Sequence, residues 1–333
     1  MKPLLAGVIG LGVGQRHVAT YQSLEGVRVK SVCDLDPTRL ESVADAYGIE
    51  RKADDYRAVT EDPDIDVISI CSYDDSHAEQ AISALRHGKH VMIEKPIALH
   101  PKEAEGIVRA MQESGKRITS NLILRQSPRF RHIKAMIEAG EFGDIFCIEG
   151  DYLHQILWKI TAGWRGRMKF YCTVYGGGIH LIDLMRWLLG QEVESVCGMA
   201  TDLPTRGSPY PRADTFINIL RFSNGTLGKC LTSFAVQRPI FHSLNVYGTK
   251  RTFVNDVPDA KIFSGDTAAD QAPFTTPYPG MEKGDLLPDF IDAIRTGREP
   301  MVSARDVFRV MDICFAAWEA TNQGRTVQVQ YLL

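Results

Sequence analysis

The sequence predicts an α/β protein with two domains: a doubly wound parallel sheet over residues 1–122, and an α+β domain with a mostly antiparallel open sheet over residues 123–333. Two observations support this prediction. Over the first third of the chain, short apolar segments alternate with segments of helical spacing, which is typical of a parallel sheet covered by helices. After residue 122, strand-like segments follow one another with little helix between them, which indicates an antiparallel sheet.

The first domain is predicted to contain five strands joined by helices. Its central strands are continuous apolar runs, as expected of parallel strands buried on both faces. Ser76 stands at a position suited to an N-cap, and Pro101 at one suited to a first helical turn. The predicted elements are strand Leu4–Ile9, helix Gln15–Leu24, strand Val27–Cys33, helix Pro37–Tyr47, strand Ile65–Cys71, helix Ser76–His87, strand Val91–Ile93, helix Pro101–Ser114 and strand Ile118–Leu122.

A glycine-rich turn follows the first strand, and an acidic residue follows the second. Gly10 and Gly12 permit a tight turn and a close approach of the main chain to a pyrophosphate. Asp34 is placed to accept hydrogen bonds from ribose hydroxyls and to repel a 2′-phosphate, which favours NAD over NADP. The third glycine is displaced, because Gly14 stands one residue early. The pattern predicts a Rossmann domain with Gly10, Gly12, Val13, Gly14 and Asp34 at the cofactor; an ordinary glycine-rich turn is the alternative.

Polar residues follow the apolar strands at the edge of the sheet where ligands of open α/β folds bind. Val91–Ile93 leads directly into Glu94, Lys95 and Pro96, and Pro96 lowers the cost of a cis bond that would aim the lysine sharply. Lys95 is therefore a candidate catalytic residue, and a solvated Glu–Lys pair is the alternative. The residues predicted to contact the cofactor at this edge are Ser72, Tyr73, His77, Glu94 and Lys95.

The second domain is predicted from a change of pattern after Asn121. Ser223-Asn224-Gly225 stands between two strand-like segments and is a hairpin signal. The segment Ala260–Pro279 is rich in Gly, Pro, Thr and Ala, and is predicted to be a loop. The remaining predicted elements are helix Pro128–Ala139, strands Ile145–Leu153, Val193–Thr201, Thr215–Phe222, Gly225–Ala235 and Ser243–Tyr247, helices Asp285–Arg295 and Ala304–Thr321, and strand Thr326–Leu332.

The second catalytic candidate is His180, which follows three glycines at the start of an apolar helix. His180 and Asp183 are three residues apart, so they share a helix face and the carboxylate could orient the imidazole. The glycines would allow another segment or a ligand to come close. A hydrogen-bonded structural histidine is the alternative.

Composition excludes several classes of protein. The chain has 333 residues, 44% of them hydrophobic and 24% charged, with a net charge of −3. These values give no electrostatic reason to expect binding to nucleic acid or membrane. Seven scattered cysteines without CxxC spacing argue against a zinc site or a disulfide framework, so no metal is predicted. We expect a soluble, cytoplasmic protein with buried thiols.

Together these motifs resemble the glucose–fructose oxidoreductase, inositol dehydrogenase and MocA (Gfo/Idh/MocA) family. The resemblance implies NAD(P)-dependent interconversion of a hydroxyl and a carbonyl on a sugar, polyol or nucleotide sugar. It implies that Lys95 and His180 handle the proton, that Asn121 contacts the cofactor, and that the second sheet pairs copies into a homodimer or homotetramer. The residues that carry it are Gly10-Leu11-Gly12 with His17, Asp34, Gly88 to Pro96, Asn121, Trp164-Arg165 and Gly176 to Asp183.

The chain departs from the family pattern at two further places. Ser72-Tyr73-Asp74 stands where the family usually has Thr-Pro-Asn, and Gly176 stands where many polyol dehydrogenases have an acid four residues before the histidine. The predicted substrate contacts are Arg125, Tyr152, Arg165 and Asp183. Arginines at 125, 129, 131, 165 and 167 suit a phosphate or carboxylate clamp, and a solvated basic face is the alternative.

The predicted function is therefore hydride transfer between a secondary alcohol of a sugar-like substrate and a nicotinamide cofactor. Two alternatives stay open. The protein could be a cofactor-binding sensor or scaffold without chemistry, because fold does not determine function. It could also use NAD transiently in a sugar lyase or hydrolase with no net redox change.

Overall fold

The computed structural model describes residues 3–210, 212–256 and 259–333. The chain divides into two compact units. The first contains Met1–Ile123, Glu282–Arg309 and Leu332–Leu333, and the second contains Leu124–Met281 and Val310–Tyr331. Among the described residues, no helix is both long and apolar enough to cross a membrane.

The first unit contains a six-stranded parallel sheet with the order β3-β2-β1-β4-β5-β6. This order and the helices between the strands confirm the predicted doubly wound fold. The elements are β1 (Leu4–Ile9), α1 (Leu11–Ser23), β2 (Val27–Cys33), α2 (Pro37–Tyr47), β3 (Arg51–Ala53), α3 (Arg57–Thr60), β4 (Val67–Ile70), α4 (His77–Arg86), β5 (His90–Ile93), α5 (Pro101–Ser114) and β6 (Ile118–Ser120).

Burial explains why the central strands are apolar throughout. All four residues of β4 are buried, as are Val91, Met92 and Ile93 of β5. The predicted capping role of Ser76 is wrong: it stands at the N-cap of α4 but its side chain makes no capping hydrogen bond. Its φ of −99° and ψ of −11° are close to helical values, whereas a side-chain cap requires an extended residue.

The second unit contains a nine-stranded sheet with the order β14-β13-β12-β11-β7-β10-β9-β8-β15. Apart from β10 with β7, its neighbouring strands are antiparallel, which confirms the predicted α+β architecture. From residue 128 onwards the chain forms α6 (Pro128–Glu138), β7 (Ile145–Leu153), α7 (Trp158–Thr161), α8 (Ile179–Leu189), β8 (Val193–Thr201), β9 (Thr215–Phe222), β10 (Leu227–Ser233), β11 (Phe241–Gly248), β12 (Thr252–Asn255), β13 (Ala260–Phe263), β14 (Gln271–Phe274), α9 (Leu287–Thr296), α10 (Ala304–Gln323) and β15 (Val327–Gln328). Of these, α9 and the start of α10 belong to the first unit.

The predicted hairpin joins β9 and β10. Gly225 has φ of +88°, a value that glycine adopts without strain, and the Phe222 N–H donates to the Thr226 carbonyl across the turn.

Helix α8 packs closely against β7 on one face of the sheet. A Cβ on Gly150 of β7 would lie 3.1 Å from the Leu181 Cβ of α8, so the small residue permits this approach.

The predicted loop over Ala260–Pro279 is wrong in part, because β13 and β14 lie within it. These short strands extend the sheet at its edge through main-chain pairing. Three of the four residues of β14 are exposed, so no apolar pattern marked them in the sequence. The predicted strand Thr326–Leu332 is shorter than expected, because only Val327–Gln328 pairs with β8.

Residues Glu282–Arg309 return to the first unit, although the predicted second domain covers 123–333. Helix α9 contacts α1 and β5 of the first unit. Its apolar face is buried there, including Leu287 and Phe290. The amphipathic pattern of α9 predicted a helix, but periodicity alone does not identify the sheet on which a helix packs.

Candidate functional site

The first glycine of the turn lets two strand ends meet. Gly10 has φ of +82°, and a Cβ at this position would lie 2.6 Å from the Cα of Ser72, just after β4. A side chain here would therefore be strained and would also clash. The predicted tight turn forms, and it lies against the segment that follows β4.

The start of α1 is suited to an anion. A Cβ on Gly12 would have no atom within 4 Å, so the main chain here is open to close approach. The N-cap residue of this 13-residue helix, Gly10, has no side chain to cap it; the Leu11 N–H bonds Asp34, and Val13 in the first turn is half-buried. Uncapped N–H groups with the positive end of the helix dipole fit the pyrophosphate of a dinucleotide.

The displaced third glycine still supports helix packing. Gly14 is buried, and a Cβ on it would lie 2.8 Å from Cγ1 of Val8 in β1. Gln15, at the usual position, is exposed. The close approach of α1 to the sheet therefore requires glycine at 14.

Asp34 is held beside the glycine turn. Its Oδ2 accepts the N–H of Leu11 at 2.7 Å, and its Oδ1 accepts the N–H of Asp36 at 2.8 Å. The Arg39 guanidinium lies 3.5 Å from Oδ1. Arg39 contacts both carboxylate oxygens at only 3.5 Å and is partly exposed, so ribose hydroxyls could replace this weak donor.

His77 ties together the segments that follow β4 and β5. Its Nδ1 lies 2.7 Å from the carbonyl oxygen of Pro96, and its Nε2 lies 3.2 Å from that of Ser72. The Ser72 hydroxyl donates to Gln80, while Tyr73 is exposed. His77 thus holds the shape of this edge, and a direct contact of these residues with the cofactor stays a prediction.

Glu94 and Asn121 form a buried polar group at the ends of β5 and β6. The Asn121 amide donates to Glu94 Oε1 at 2.8 Å, and His17 Nε2 lies 4.0 Å from the same oxygen. Burial raises the pKa of Glu94, but Lys95, His17 and the Asn121 hydrogen bond together lower it below its usual value. His17 Nδ1 lies 3.0 Å from the Ser69 hydroxyl, and burial lowers the pKa of His17.

Two polar atoms in this group, His17 Nε2 and Asn121 Oδ1, are buried without a hydrogen-bond partner in the protein. Buried polar atoms of this kind normally find a partner, so they fit a polar ligand or a water at this edge. Lys95 follows Glu94 directly and is half-buried, and the Lys95–Pro96 bond is cis. The predicted cofactor residues of β5 and β6 therefore lie together.

The glycines before His180 form a π-helical turn over Val174–Gly178 that runs into α8. Such turns are rare and often occur at functional sites. Here each glycine is closely packed against another side chain. The neighbours are the Tyr171 hydroxyl for Gly176, the Tyr152 ring for Gly177 and the Thr232 hydroxyl for Gly178.

His180 lies in a buried cluster of aromatic and imidazole rings in the second unit. Its ring stacks on Tyr152 with centroids 6.2 Å apart and planes at 19°, and the edge of His242 is 6.1 Å away. Burial raises the pKa of Tyr152 to about 12. Sequence reasoning missed His242 and Tyr278, which lies 2.7 Å from His242 Nδ1. The predicted strand Ser243–Tyr247 began one residue too late to include His242, and the neighbours of His242 depend on strand register.

Asp183 pairs with Arg125 inside the second unit. The guanidinium Nε donates to Oδ2 at 2.9 Å and Nη2 donates to Oδ1 at 2.5 Å, and both side chains are buried. Arg125 also lies over the ring of Trp187. Two predicted substrate residues are thus brought together as a bidentate ion pair, which commits much of their hydrogen-bonding capacity to each other.

Arg165, the remaining predicted substrate residue, is half-buried. Its guanidinium lies 4.2 Å from the ring centroid of Trp164 and 5.6 Å from that of Tyr171. Arg129, a further member of the basic group, is buried and donates to the Thr276 carbonyl and to Asn255. The arginines that sequence reasoning grouped therefore do not form one solvated face.

Comparison with family models matches both parts of the chain. Residues 4–122 match the model described as "Oxidoreductase family, NAD-binding Rossmann fold". Residues 134–329 match the model described as "Oxidoreductase family, C-terminal alpha/beta domain". Both are domains of the Gfo/Idh/MocA family, and together they account for most of the chain.

Similar proteins match over nearly the full length. The chain is 27% identical to the uncharacterized oxidoreductase YrbE of Bacillus subtilis, with 99% of this chain and 98% of the relative covered. It is 28% identical to scyllo-inositol 2-dehydrogenase (NAD(+)) of Bacillus subtilis, with 97% and 95% covered. Among solved structures, levoglucosan dehydrogenase in complex with NADH and L-sorbose superposes with a TM-score of 0.88 at 24% identity, and both chains are covered completely. That likeness establishes the fold.

Proposed function

Because the chain belongs to the Gfo/Idh/MocA oxidoreductase family, we propose that it interconverts a secondary alcohol and a ketone on a sugar or polyol, using NAD. The observation that best supports this is the glycine turn at the start of α1, where Gly10 supplies no cap, beside the fixed Asp34 carboxylate. A pyrophosphate and a ribose require these two features side by side. The family match also confirms the predicted resemblance, the enzyme class and NAD as cofactor.

The proposed chemistry divides between cofactor and protein. When bound, the nicotinamide accepts or returns the hydride. Lys95 and His180 handle the proton: as the alcohol is oxidised, either His180 takes the hydroxyl proton while the Lys95 ammonium polarises the oxygen, or a neutral Lys95 takes the proton and becomes the ammonium. The negative charge of Glu94 beside Lys95 lowers the cost of holding an ammonium group at this edge.

The proposed substrate class is an uncharged sugar or polyol. Arg125 is held by Asp183, and Arg129 is held by Thr276 and Asn255, which argues against a five-arginine anion clamp. The buried ring of Tyr152 beside His180 offers an apolar face to the carbon-bound hydrogens of a sugar ring. Relatives named for scyllo-inositol and levoglucosan point to the same class.

The experiment measures NADH absorbance while the protein and NAD are incubated with scyllo-inositol, myo-inositol, levoglucosan or a nucleotide sugar. We expect NADH to accumulate with at least one uncharged substrate. Lys95→Met should reduce turnover by orders of magnitude while NADH still binds, and Lys102→Met, at an exposed lysine of α5, is the matched control. If NAD binds but no substrate of the panel produces NADH, the proposal is contradicted and a cofactor-binding sensor is favoured. Product without NADH would favour the redox-neutral enzyme.

We also propose that the second sheet pairs copies of the chain. Alternate residues of β9 are exposed, and the exposed Ile217 lies opposite Met199 of β8, which is 80% exposed. Ile219 of β9 and Leu227 of β10 are exposed as well, and apolar side chains grouped on a sheet face mark an interaction surface. Light scattering should show a dimer or tetramer that Ile217→Lys dissociates. Leu203→Lys, at an exposed residue outside the strands, is the control, and a monomeric wild type would contradict this proposal.

A further inference from the structure

A second histidine, His242, borders the candidate site of the second unit. His242 of β11 lies directly opposite Tyr152 of β7 in the sheet register. Its ring is 5.5 Å from the Tyr152 ring and 6.1 Å from the His180 ring, in edge-on arrangements. All three side chains are buried. The two imidazoles and the phenol therefore form one cluster.

The hydroxyl of Tyr278 contacts both the main chain and the imidazole of His242. The Tyr278 hydroxyl oxygen accepts the main-chain N–H of His242 at 2.9 Å and lies 2.7 Å from its Nδ1. The main-chain N–H can only donate, so the phenolic hydrogen remains available for Nδ1. A neutral imidazole whose Nδ1 accepts a hydrogen bond carries its own hydrogen on Nε2. The partly buried phenolic O–H needs an acceptor, and Nδ1 supplies one at 2.7 Å, which favours the Nε2–H tautomer of His242.

Further contacts hold this arrangement in place. The Arg129 guanidinium lies 5.5 Å from the centre of the Tyr278 ring, and it donates to the Thr276 carbonyl and to Asn255 Oδ1. The Asn255 amide in turn donates to the main-chain carbonyl of His242 at 2.8 Å. Burial raises the pKa of Tyr278 to about 12, so its hydroxyl stays protonated as a donor. Such a closed set of contacts preorganises the imidazole.

We propose that His242 donates a hydrogen bond from Nε2 to a hydroxyl of the sugar or polyol other than the one that reacts. This inference rests on the proposed function, because it takes the substrate to be a polyhydroxylated ring beside His180. A fixed donor discriminates among such rings, since only a substrate with an oxygen at that place can accept its hydrogen bond. His242 would then select which carbon is presented for oxidation, while Tyr278 acts as its positioning residue.

The first test compares steady-state kinetics of His242→Phe and Tyr278→Phe with the wild type, using the best substrate of the panel. His242→Phe keeps an aromatic ring but removes both nitrogens. We expect its KM to rise about tenfold or more, with kcat within about threefold and an unchanged Kd for NADH. Tyr278→Phe should raise KM less. The control is His87→Phe, which alters an exposed histidine of the first unit.

The alternative results have distinct meanings. An unchanged KM in His242→Phe would overturn the proposal, and a fall in kcat alone would do so too, since it would assign the residue to proton transfer. If His242→Phe does not fold, the kinetic test can still be made with Tyr278→Phe, because this variant removes only one oxygen atom.

A spectroscopic readout separates this inference from the proposed function. ¹⁵N NMR of histidine-labelled wild type with NADH should show His242 as the Nε2–H tautomer, and Tyr278→Phe should show a mixture of tautomers. Addition of scyllo-inositol or levoglucosan should shift the Nε2 signal even if no turnover occurs. Turnover without any such shift would overturn the role of His242 alone. A shift without turnover would overturn the dehydrogenase and retain the donor.

Discussion

The hydroxyl of Tyr171 occupies the place where the Cβ of any side chain at position 176 would have to lie. Tyr171 is 2% exposed and so has little room to move away. Local packing therefore requires a glycine at position 176, where the family pattern has an acid. A side chain at position 176 thus cannot assist His180 in this chain.

This relationship predicts that Gly176→Ala destabilises the protein. The added methyl group must displace a buried phenol, and overpacking of this kind costs about 1–3 kcal/mol. Thermal unfolding should show a midpoint several degrees lower, which the additional change Tyr171→Leu partly restores. Gly12→Ala is the matched control, because a Cβ there meets no other atom within 4 Å. A Gly176→Ala variant as stable as the wild type would contradict this packing.

Cofactor selectivity should depend on the charge of Asp34. Asp34→Asn keeps an oxygen that can accept the Leu11 N–H but removes the negative charge that repels a 2′-phosphate. We expect the ratio of the NADPH and NADH dissociation constants to shift at least about tenfold towards NADPH, which corresponds to about 1.4 kcal/mol. Asp36→Asn is the control, since this exposed neighbour caps α2. Equal shifts in both variants would count against a specific role for Asp34.

The Arg125–Asp183 pair should contribute to stability rather than to anion binding. Removing one partner of a buried ion pair leaves the other charge unpaired and costs about 3–5 kcal/mol. Urea unfolding should therefore show a large loss for Arg125→Met and a smaller loss for the double variant Arg125→Met with Asp183→Leu. If Arg125→Met keeps its stability and raises KM only for nucleotide sugars, the clamp interpretation is correct instead.

Stability should fall on the acid side of neutrality, partly through His90. Burial, with Lys116 and Arg117 nearby, lowers the pKa of His90 from 6.5 to about 4. The unfolded chain then takes up a proton below pH 6.5 that the folded protein does not, so stability decreases as the pH falls from 6.5 towards 4. His90→Asn keeps an acceptor for the Arg117 N–H and should make this slope shallower in urea unfolding.

The matched control for the pH measurement is His87→Asn, at an exposed histidine that ends α4. The two variants are compared between pH 4 and pH 7.5 under the same conditions. An unchanged slope in His90→Asn would show that other groups account for the acid sensitivity.

Local patterns in the sequence predicted the parts of the fold that depend on burial of regular elements. Strand-like composition predicted the bounds of β7, β8 and β9, and alternate residues of β7 and β9 are buried as such strands require. Strands β13 and β14 were not predicted, because strands that pair through the main chain at the edge of a sheet need no regular pattern of apolar side chains. The contact between His242 and Tyr278 could not be predicted for a different reason. These residues are 36 positions apart in the sequence, and they meet only in the folded protein.

The most direct test of hydride transfer uses scyllo-inositol, or the best substrate of the panel, deuterated at its ring carbons. The protein converts it in the presence of NAD, and mass spectrometry determines the isotope content of the recovered nicotinamide cofactor. The proposed function predicts one deuterium in each NADH formed, with an equal amount of ketone. Product accompanied by unlabelled NADH, or by NAD with no net reduction, would contradict it.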